Sequence, residues 1–138
     1  MNSLQQLTEK LDEYQRLYGK VVSDKSEDMI SIESVFNPPQ SWDLGSQFGV
    51  YCIYDQDREL LYIGKASCAS SIGSRLTYWF GIKTFSPRGN WRTRPAFFFC
   101  IATTHHWEAP SLEEFLITEL SPRENAISRK RRIVNSND

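Results

Sequence analysis

The sequence predicts an α+β fold, in which a three-stranded antiparallel sheet is flanked by helices and preceded by an N-terminal helical extension. Two short runs rich in β-branched and aromatic residues, Val50–Tyr54 and Leu60–Ile63, are separated by five polar residues and predict a β-hairpin. A third run, Ala96–Thr103, is the most apolar in the chain and should form a central strand paired with that hairpin. Helical periodicity precedes and follows these runs.

Length and composition indicate one globular domain. The chain has 138 residues, of which 40% are hydrophobic and 24% charged, and this is enough for a buried core. Its N-terminus is polar and lacks the apolar segment of a signal peptide, and no apolar run approaches the roughly 18 residues of a membrane span. The three cysteines are scattered and odd in number, which favours a reducing environment, and they show no metal-ligand spacing. We therefore expect a cytoplasmic protein that does not bind membranes.

Charge is distributed unevenly along the chain. Residues 1–60 carry 5 basic and 11 acidic side chains, whereas residues 61–138 carry 11 basic and 6 acidic side chains, for a net charge of −1 overall. A local positive field attracts a polyanion even when the total charge is near zero. The second half is therefore the candidate side for nucleic acid, with ordinary charge scatter as the alternative.

An amphipathic helix is predicted for residues 2–18 and ends at Gly19. Its apolar residues recur at steps of three and four and form one stripe, namely Leu4, Leu7, Leu11, Tyr14 and Tyr18. Two heptads are too few to predict a coiled coil. We expect the stripe to pack on its own domain, with the seam of a homodimer as the alternative.

The segment that follows is mixed, and it defines the predicted domain organisation. Met29–Phe36 predicts a short strand or a helical turn, and Pro38 and Pro39 break the chain after it. Residues 1–47 are predicted to be the helical extension, residues 48–128 the core domain, and residues 129–138 a basic C-terminal tail. The basic run 129–132 is interpreted as a solvated tail, with a nucleic-acid contact as the alternative.

Two further helices are predicted in the core domain. The first begins at a cap formed by Ser70 or Ser71 and runs to about Phe80, with Arg75 and Tyr78 sharing one face. The second begins near Pro110 and ends at Pro122. Its buried face is predicted to consist of Leu112, Phe115, Leu116 and Leu120.

The segment Gly81–Arg94 is predicted to be a loop in which cations and aromatic rings alternate. Nucleic-acid contacts require such a combination of cations and stacking surfaces. A solvated basic loop with a buried tryptophan is the alternative. The candidate nucleic-acid-binding residues are Lys83, Arg88, Trp91, Arg92 and Arg94.

Several short motifs occur in a distinctive order. GVY at 49–51 precedes YIG at 62–64 by ten intervening residues, YIGKA continues to residue 66, and GSRL lies at 73–76. Glu113 is followed by Leu116 and Ile117, then by Pro122 and Asn125. This order resembles the GIY-YIG nuclease superfamily over residues 48–126, and it looks most similar to the nuclease domain of bacterial nucleotide-excision repair endonucleases. The chain departs from that pattern by extra residues at 67–71 and by a long segment from Thr77 to Ala96.

The resemblance implies a metal-dependent endonuclease that hydrolyses phosphodiester bonds in DNA. It implies that Glu113 binds Mg²⁺ or Mn²⁺ and that Arg75 holds the scissile phosphate. One carboxylate suffices for a hydrated ion such as Mg²⁺, which keeps most of its waters, and a planar guanidinium can bind two phosphate oxygens. The implied catalytic set is Tyr51, Tyr62, Lys65, Arg75 and Glu113, supported by Gly64 and Asn125.

The individual roles within this set are hypotheses. A phenol of pKa about 10 is a poor base at neutral pH, but a metal ion and nearby cations would lower that pKa. We assign Tyr51 as the general base and Tyr62 as the residue that orients water or phosphate, with the reverse assignment as the alternative. Lys65 would contact the same phosphate or tune a phenol. Gly64 would let the phosphate approach the backbone, and Asn125 would support Glu113 or the hydrogen bonds of the site.

Two other functions are alternatives to this prediction. The first is a DNA-binding or adaptor module that keeps the fold without turnover, although every catalytic position is occupied here. The second is a small toxin or mobile-element nuclease. His105 and His106 are adjacent, so they point apart and cannot form an i, i+4 metal pair. A structural or surface role is favoured for them over proton transfer.

Overall fold

The computed structural model describes residues 3–37, 39–81 and 87–125. These residues form four helices and five strands. In chain order they are α1 (Ser3–Tyr18), β1 (Val22–Lys25), β2 (Ile30–Ser31), α2 (Ile32–Phe36), β3 (Gly49–Asp55), β4 (Leu60–Ala66), α3 (Ile72–Phe80), β5 (Pro95–Thr103) and α4 (Glu108–Leu120).

The α+β class is confirmed, but the antiparallel sheet has five strands rather than the predicted three. Its order is β1-β5-β3-β4, and β2 also pairs with β5. Strand β1 pairs with the Ile101–Thr103 end of β5 and β2 pairs with Phe97 and Phe98, so both complete the same edge. Strand β1 escaped prediction because it is largely exposed and shows no apolar alternation, whereas β2 lies within Met29–Phe36, where the sequence predicts a short strand or a helical turn.

The central strand β3 is buried along its whole length. It pairs with both β4 and β5, and Tyr51 lies opposite Gly64 on one side and Cys100 on the other. Gly49 begins this strand at φ +151°, and a Cβ there would lie 2.0 Å from the carbonyl oxygen of Ile101. A glycine is therefore required at the first letter of the GVY motif.

Helices cover both faces of the sheet. On one face, α1 and α4 pack over Val50, Cys52, Ile63 and Ile101. On the other face, α2 and α3 pack over Tyr51, Ile53 and Phe98. Strand β4 lies at the end of the sheet path, so its neighbourhood is where side chains from both layers can meet.

Helix α1 packs on its own chain, as the sequence predicted. Leu7, Leu11 and Tyr14 are buried against α4, and the Tyr14 hydroxyl hydrogen-bonds with the Ser111 hydroxyl at 2.7 Å. Leu17 and Tyr18 remain exposed at the C-terminal end of the helix. A homodimer seam would have to use that exposed end, because the rest of the stripe is occupied.

The other predicted elements are close to the observed ones. The Ser71 hydroxyl caps α3 by accepting a hydrogen bond from the Ser74 amide at 3.1 Å. Helix α4 begins two residues before Pro110 and ends at Leu120, and the cap residue Ser121 adopts a left-handed conformation with φ 45°. Met29–Phe36 contains both a short strand and a helical turn. Within the described ranges, no helix is long and apolar enough to cross a membrane.

Candidate active site

A cleft of about 480 Å³ opens beside the edge strand β4. Strands β3 and β4, the loop after β4, and helices α3 and α4 each contribute side chains to it. All five predicted catalytic residues line this cleft together with two serines. The lining residues are Tyr51, Tyr62, Lys65, Ser67, Ser70, Arg75 and Glu113.

Tyr51 reaches the cleft from the centre of the sheet. Its side chain is only 1% exposed, and the indole N–H of Trp79 donates a hydrogen bond to its phenol oxygen at 3.1 Å. The phenol passes across the backbone of Gly64, where a Cβ would lie 2.4 Å from the phenol oxygen. The missing side chain at position 64 therefore makes room for Tyr51, and the approach of a phosphate to this backbone stays a prediction.

Burial raises the pKa of the Tyr51 phenol above its ordinary value of 10.0. The hydrogen bond from Trp79 and the positive charge of Arg75 act in the opposite direction, whereas the charge of Glu113 adds to the rise in pKa. The protein groups alone therefore keep Tyr51 protonated at neutral pH. Burial outweighs Arg75, and the lowering of this pKa expected from a metal ion together with nearby cations stays a prediction.

Tyr62 lies at the centre of an aromatic cluster beside the cleft. Its ring centre is 6.3 Å from that of Tyr51, 5.9 Å from that of Trp79 and 5.8 Å from that of Trp91. Trp79 and Trp91 are themselves 5.6 Å apart and meet edge to face. Packing of this kind restricts the orientations of both tyrosine rings and joins them to the segment after α3.

The two cations enter the cleft from different elements. Arg75 lies in the first turns of α3, and its guanidinium carbon is 5.5 Å from the ring centre of Tyr78 one turn later. Lys65 is exposed on the edge strand β4, one residue after Gly64. A planar, partly buried guanidinium and a mobile ammonium at the rim can share one phosphate group.

Glu113 supplies the negative charge of the cleft from helix α4, whose neighbouring residues Leu112 and Leu116 are buried in the core. Of the described residues, it is the one carboxylate that lines the cleft. The described part of the chain contains no group of three or more His, Cys, Asp or Glu side chains suited to a metal ion. One carboxylate beside the hydroxyls of Ser67 and Ser70 in an open, water-accessible cleft fits Mg²⁺, which binds few protein ligands and retains its waters.

Asn125 supports the site through the backbone. Its side-chain oxygen accepts a hydrogen bond from the Ile63 amide at 2.7 Å, and its side-chain nitrogen donates to the Ile63 carbonyl at 3.0 Å. Both bonds are buried and involve the residue between Tyr62 and Gly64. Asn125 therefore fixes the edge of β4, which carries three residues of the motif.

The predicted nucleic-acid-binding residues are divided between locations. Arg88 lies over the Tyr78 ring, with its guanidinium carbon 4.9 Å from the ring centre, and Trp91 belongs to the aromatic cluster. Arg92 is exposed, and its amide donates to the Glu124 carboxylate at 3.3 Å. Arg94 lines a separate cavity of about 280 Å³ near Gln56, and Lys83 lies outside the described residues.

Three residues at the site were not predicted from the sequence. Ser67 and Ser70 line the cleft, and the Trp79 indole N–H donates a hydrogen bond to the Tyr51 phenol oxygen. No local signal could have shown that the Trp79 indole reaches a strand 28 residues earlier. The histidines lie outside the residues lining the cleft: His105 stacks on Trp107, with ring centres 4.4 Å apart, and lies 3.3 Å from the Glu108 carboxylate.

Comparison with known proteins found one informative similarity. The chain is 34% identical over 95 residues to UvrABC system protein C of Helicobacter pylori (strain J99 / ATCC 700824). The match covers 62% of this chain but 16% of that protein, so the chain corresponds to a small part of its relative. No protein-family model matches the chain.

Proposed function

We propose that this protein is a metal-dependent endonuclease of the GIY-YIG type that hydrolyses phosphodiester bonds in DNA. The observation that carries the proposal is the convergence of two phenols, two cations and one carboxylate from four different elements in one cleft. Each residue alone has an ordinary structural explanation, but core packing does not explain why all five side chains line one cleft. The similarity to UvrABC system protein C is a second support.

DNA is the proposed partner because the residues around the cleft suit a polyanion with exposed bases. The second half of the chain is net basic, and Arg88 and Trp91 lie next to the aromatic cluster that borders the cleft. We propose that residues 48–128 form the nuclease domain and that the protein acts in the cytoplasm. A homodimer formed through α1 would have to use Leu17 and Tyr18, which are the exposed large apolar residues of that helix.

Arg75 and Lys65 would bind and neutralise the scissile phosphate. The Arg75 guanidinium can donate two parallel hydrogen bonds to phosphate oxygens, and its position over Tyr78 restricts its rotation. Lys65 would add a point charge from the rim of the cleft. Both cations favour the transition state, in which negative charge accumulates on the phosphate oxygens.

Tyr51 would accept the proton of the attacking water once its phenol is ionised. Two features favour the phenolate: the N–H of Trp79 donates to its oxygen, and Arg75 carries positive charge nearby. Burial opposes ionisation. Tyr62, which is more exposed, would orient the water or the phosphate, and the reverse assignment of the two phenols remains the alternative.

Glu113 would hold Mg²⁺ or Mn²⁺ in the cleft that Ser67 and Ser70 also line. When bound, such an ion supplies Lewis-acid stabilisation of the charge that develops on the phosphate and leaving oxygens.

The test is a cleavage assay on supercoiled plasmid with Mg²⁺, with Mn²⁺ and with EDTA. The proposal predicts conversion to nicked or linear DNA with either ion and none with EDTA. Protein that binds the plasmid yet never cuts it with any divalent ion would instead be a DNA-binding or adaptor module. Toxicity on expression that depends on Glu113 would point to a toxin or mobile-element nuclease.

A further inference from the structure

Tyr78 holds two guanidinium groups from different parts of the chain. The Cζ atom of Arg75 lies 5.5 Å and that of Arg88 lies 4.9 Å from the centre of its ring. Tyr78 is 50% exposed on α3, and Arg88 is exposed on the segment after that helix. The arrangement extends the positive charge of the cleft beyond Arg75.

The backbone at Arg88 is fixed against α3. Its amide donates a hydrogen bond to the Trp79 carbonyl at 2.9 Å, and its carbonyl accepts one from the Trp91 indole N–H. Gly89 follows at φ +93°, where a Cβ would lie 3.0 Å from the Trp79 ring. The backbone that carries the Arg88 side chain is therefore held in place against helix α3.

We propose that Arg88 forms a second phosphate-binding position next to Arg75 and that Tyr78 is the positioning residue that holds both cations. This inference rests on the proposed function, because it takes DNA as the ligand. It adds a direction to it: the bound strand leaves the cleft along the outer face of α3. A single ring thus sets the spacing of two phosphate contacts.

The spacing and the chemistry both fit a single DNA strand. Since both Cζ atoms lie near the same ring centre, the two cations are at most about 10 Å apart. Each DNA strand carries one phosphate per roughly 3.4 Å of helix axis, so the two cations can contact phosphates that lie no more than about three steps apart on one strand. A guanidinium that covers a ring with its face keeps its in-plane N–H groups available for phosphate oxygens.

The test measures DNA binding separately from cleavage. A short fluorescein-labelled DNA duplex is titrated with each variant in EDTA, by fluorescence anisotropy, over a series of salt concentrations. Arg88→Ala should weaken binding to all sequences alike and lower the slope of log K against log salt by about 1. Tyr78→Ala should also lower the slope, whereas Tyr78→Phe retains the ring and should retain the wild-type slope.

Arg58→Ala is the matched control. Its Cζ lies 5.0 Å from the ring centre of Phe97, so it has the same kind of contact in the turn between β3 and β4, and its slope should equal that of the wild type. An unchanged slope in Arg88→Ala would overturn the second phosphate position. A Tyr78→Phe slope as low as that of Tyr78→Ala would overturn the positioning role of the ring.

These outcomes are separable from failure of the proposed function. A protein that binds DNA but never cuts it would refute the nuclease while leaving the slopes to decide the Arg88 contact. Normal cleavage with an unchanged Arg88→Ala slope would refute this inference alone. A wild-type protein with no measurable DNA binding would overturn both.

Discussion

The absence of a side chain at Gly64 lets the Tyr51 ring extend from the sheet into the candidate active site. The backbone of Gly64 faces the Tyr51 phenol so closely that any Cβ would overlap the ring. The sequence identified both residues through the order of their motifs. It could not show that one accommodates the other, because that contact depends on the register that places Tyr51 opposite Gly64. The hydrogen bond from Trp79 to Tyr51 could not be predicted either, because it depends on how helix α3 packs on the sheet.

Gly64→Ala should displace the Tyr51 ring, lower the free energy of unfolding by about 1–3 kcal/mol and reduce cleavage. Urea unfolding and plasmid nicking measure the two effects. Gly45→Ala is the control, since its new methyl would lie 3.3 Å from the Trp42 carbonyl oxygen, and it should cost less. Equal stability and activity of Gly64→Ala and the wild type would refute the steric role.

At the scale of elements, local signals predicted the two helices of the core domain well. Ser71 and Pro122 mark helix ends by capping and by backbone restriction, which act within a few residues. Strand β1 could not be predicted, because it is short and largely exposed and is stabilised by pairing with β5. The membership of β2 in the sheet also depends on its pairing with β5. The two-sided bond of Asn125 to Ile63 was likewise a tertiary feature.

Asn125→Ala should free the Ile63 amide and carbonyl on the edge of β4. The loss of two buried hydrogen bonds should cost about 1–3 kcal/mol. Hydrogen exchange at the Ile63 amide, followed by NMR, should become faster than in the wild type. Glu124→Gln, which changes the partly buried neighbouring residue, should leave that exchange rate unchanged. Equal protection of Ile63 in both variants would contradict the role of Asn125.

At the scale of the molecule, α1 belongs to the main core rather than to a separate surface. Leu7→Ala should lower the free energy of unfolding by about 2–5 kcal/mol, because Leu7 is 0% exposed. Leu17→Ala should change it by less than about 0.5 kcal/mol, because Leu17 is 53% exposed. A concentration-dependent stability that Leu17→Ala abolishes would instead support a homodimer.

The buried phenols and thiols predict a loss of stability at alkaline pH. Burial raises the pKa of Tyr51, Tyr54 and Cys52, and it raises the pKa of Cys100 from 9.0 to about 12. The folded state therefore keeps these protons at pH values where the unfolded chain releases them. Stability is full below the ordinary pKa values of 9.0 and 10.0 and falls as the pH rises above them, by up to about 1.4 kcal/mol per pH unit for each group.

Urea unfolding at a series of pH values between about 8 and 11 measures this slope. Cys52→Ala should make the fall shallower, because one titrating group is removed. Leu17→Ala, which removes an exposed side chain without a titratable proton, is the control and should not alter the slope. A stability that stays constant over this range would contradict the assignment of these groups as buried and neutral.

We expect DNA hydrolysis at the cleft beside β4 to depend on Glu113. The most direct measurement is the initial rate of supercoiled plasmid nicking in Mg²⁺ by the wild type, Glu113→Gln and Glu114→Gln at equal DNA binding. Glu113→Gln should lower the rate at least about 100-fold, and the exposed neighbour Glu114→Gln should cut like the wild type. Nicking by Glu113→Gln at the wild-type rate would refute the proposed catalytic role of Glu113.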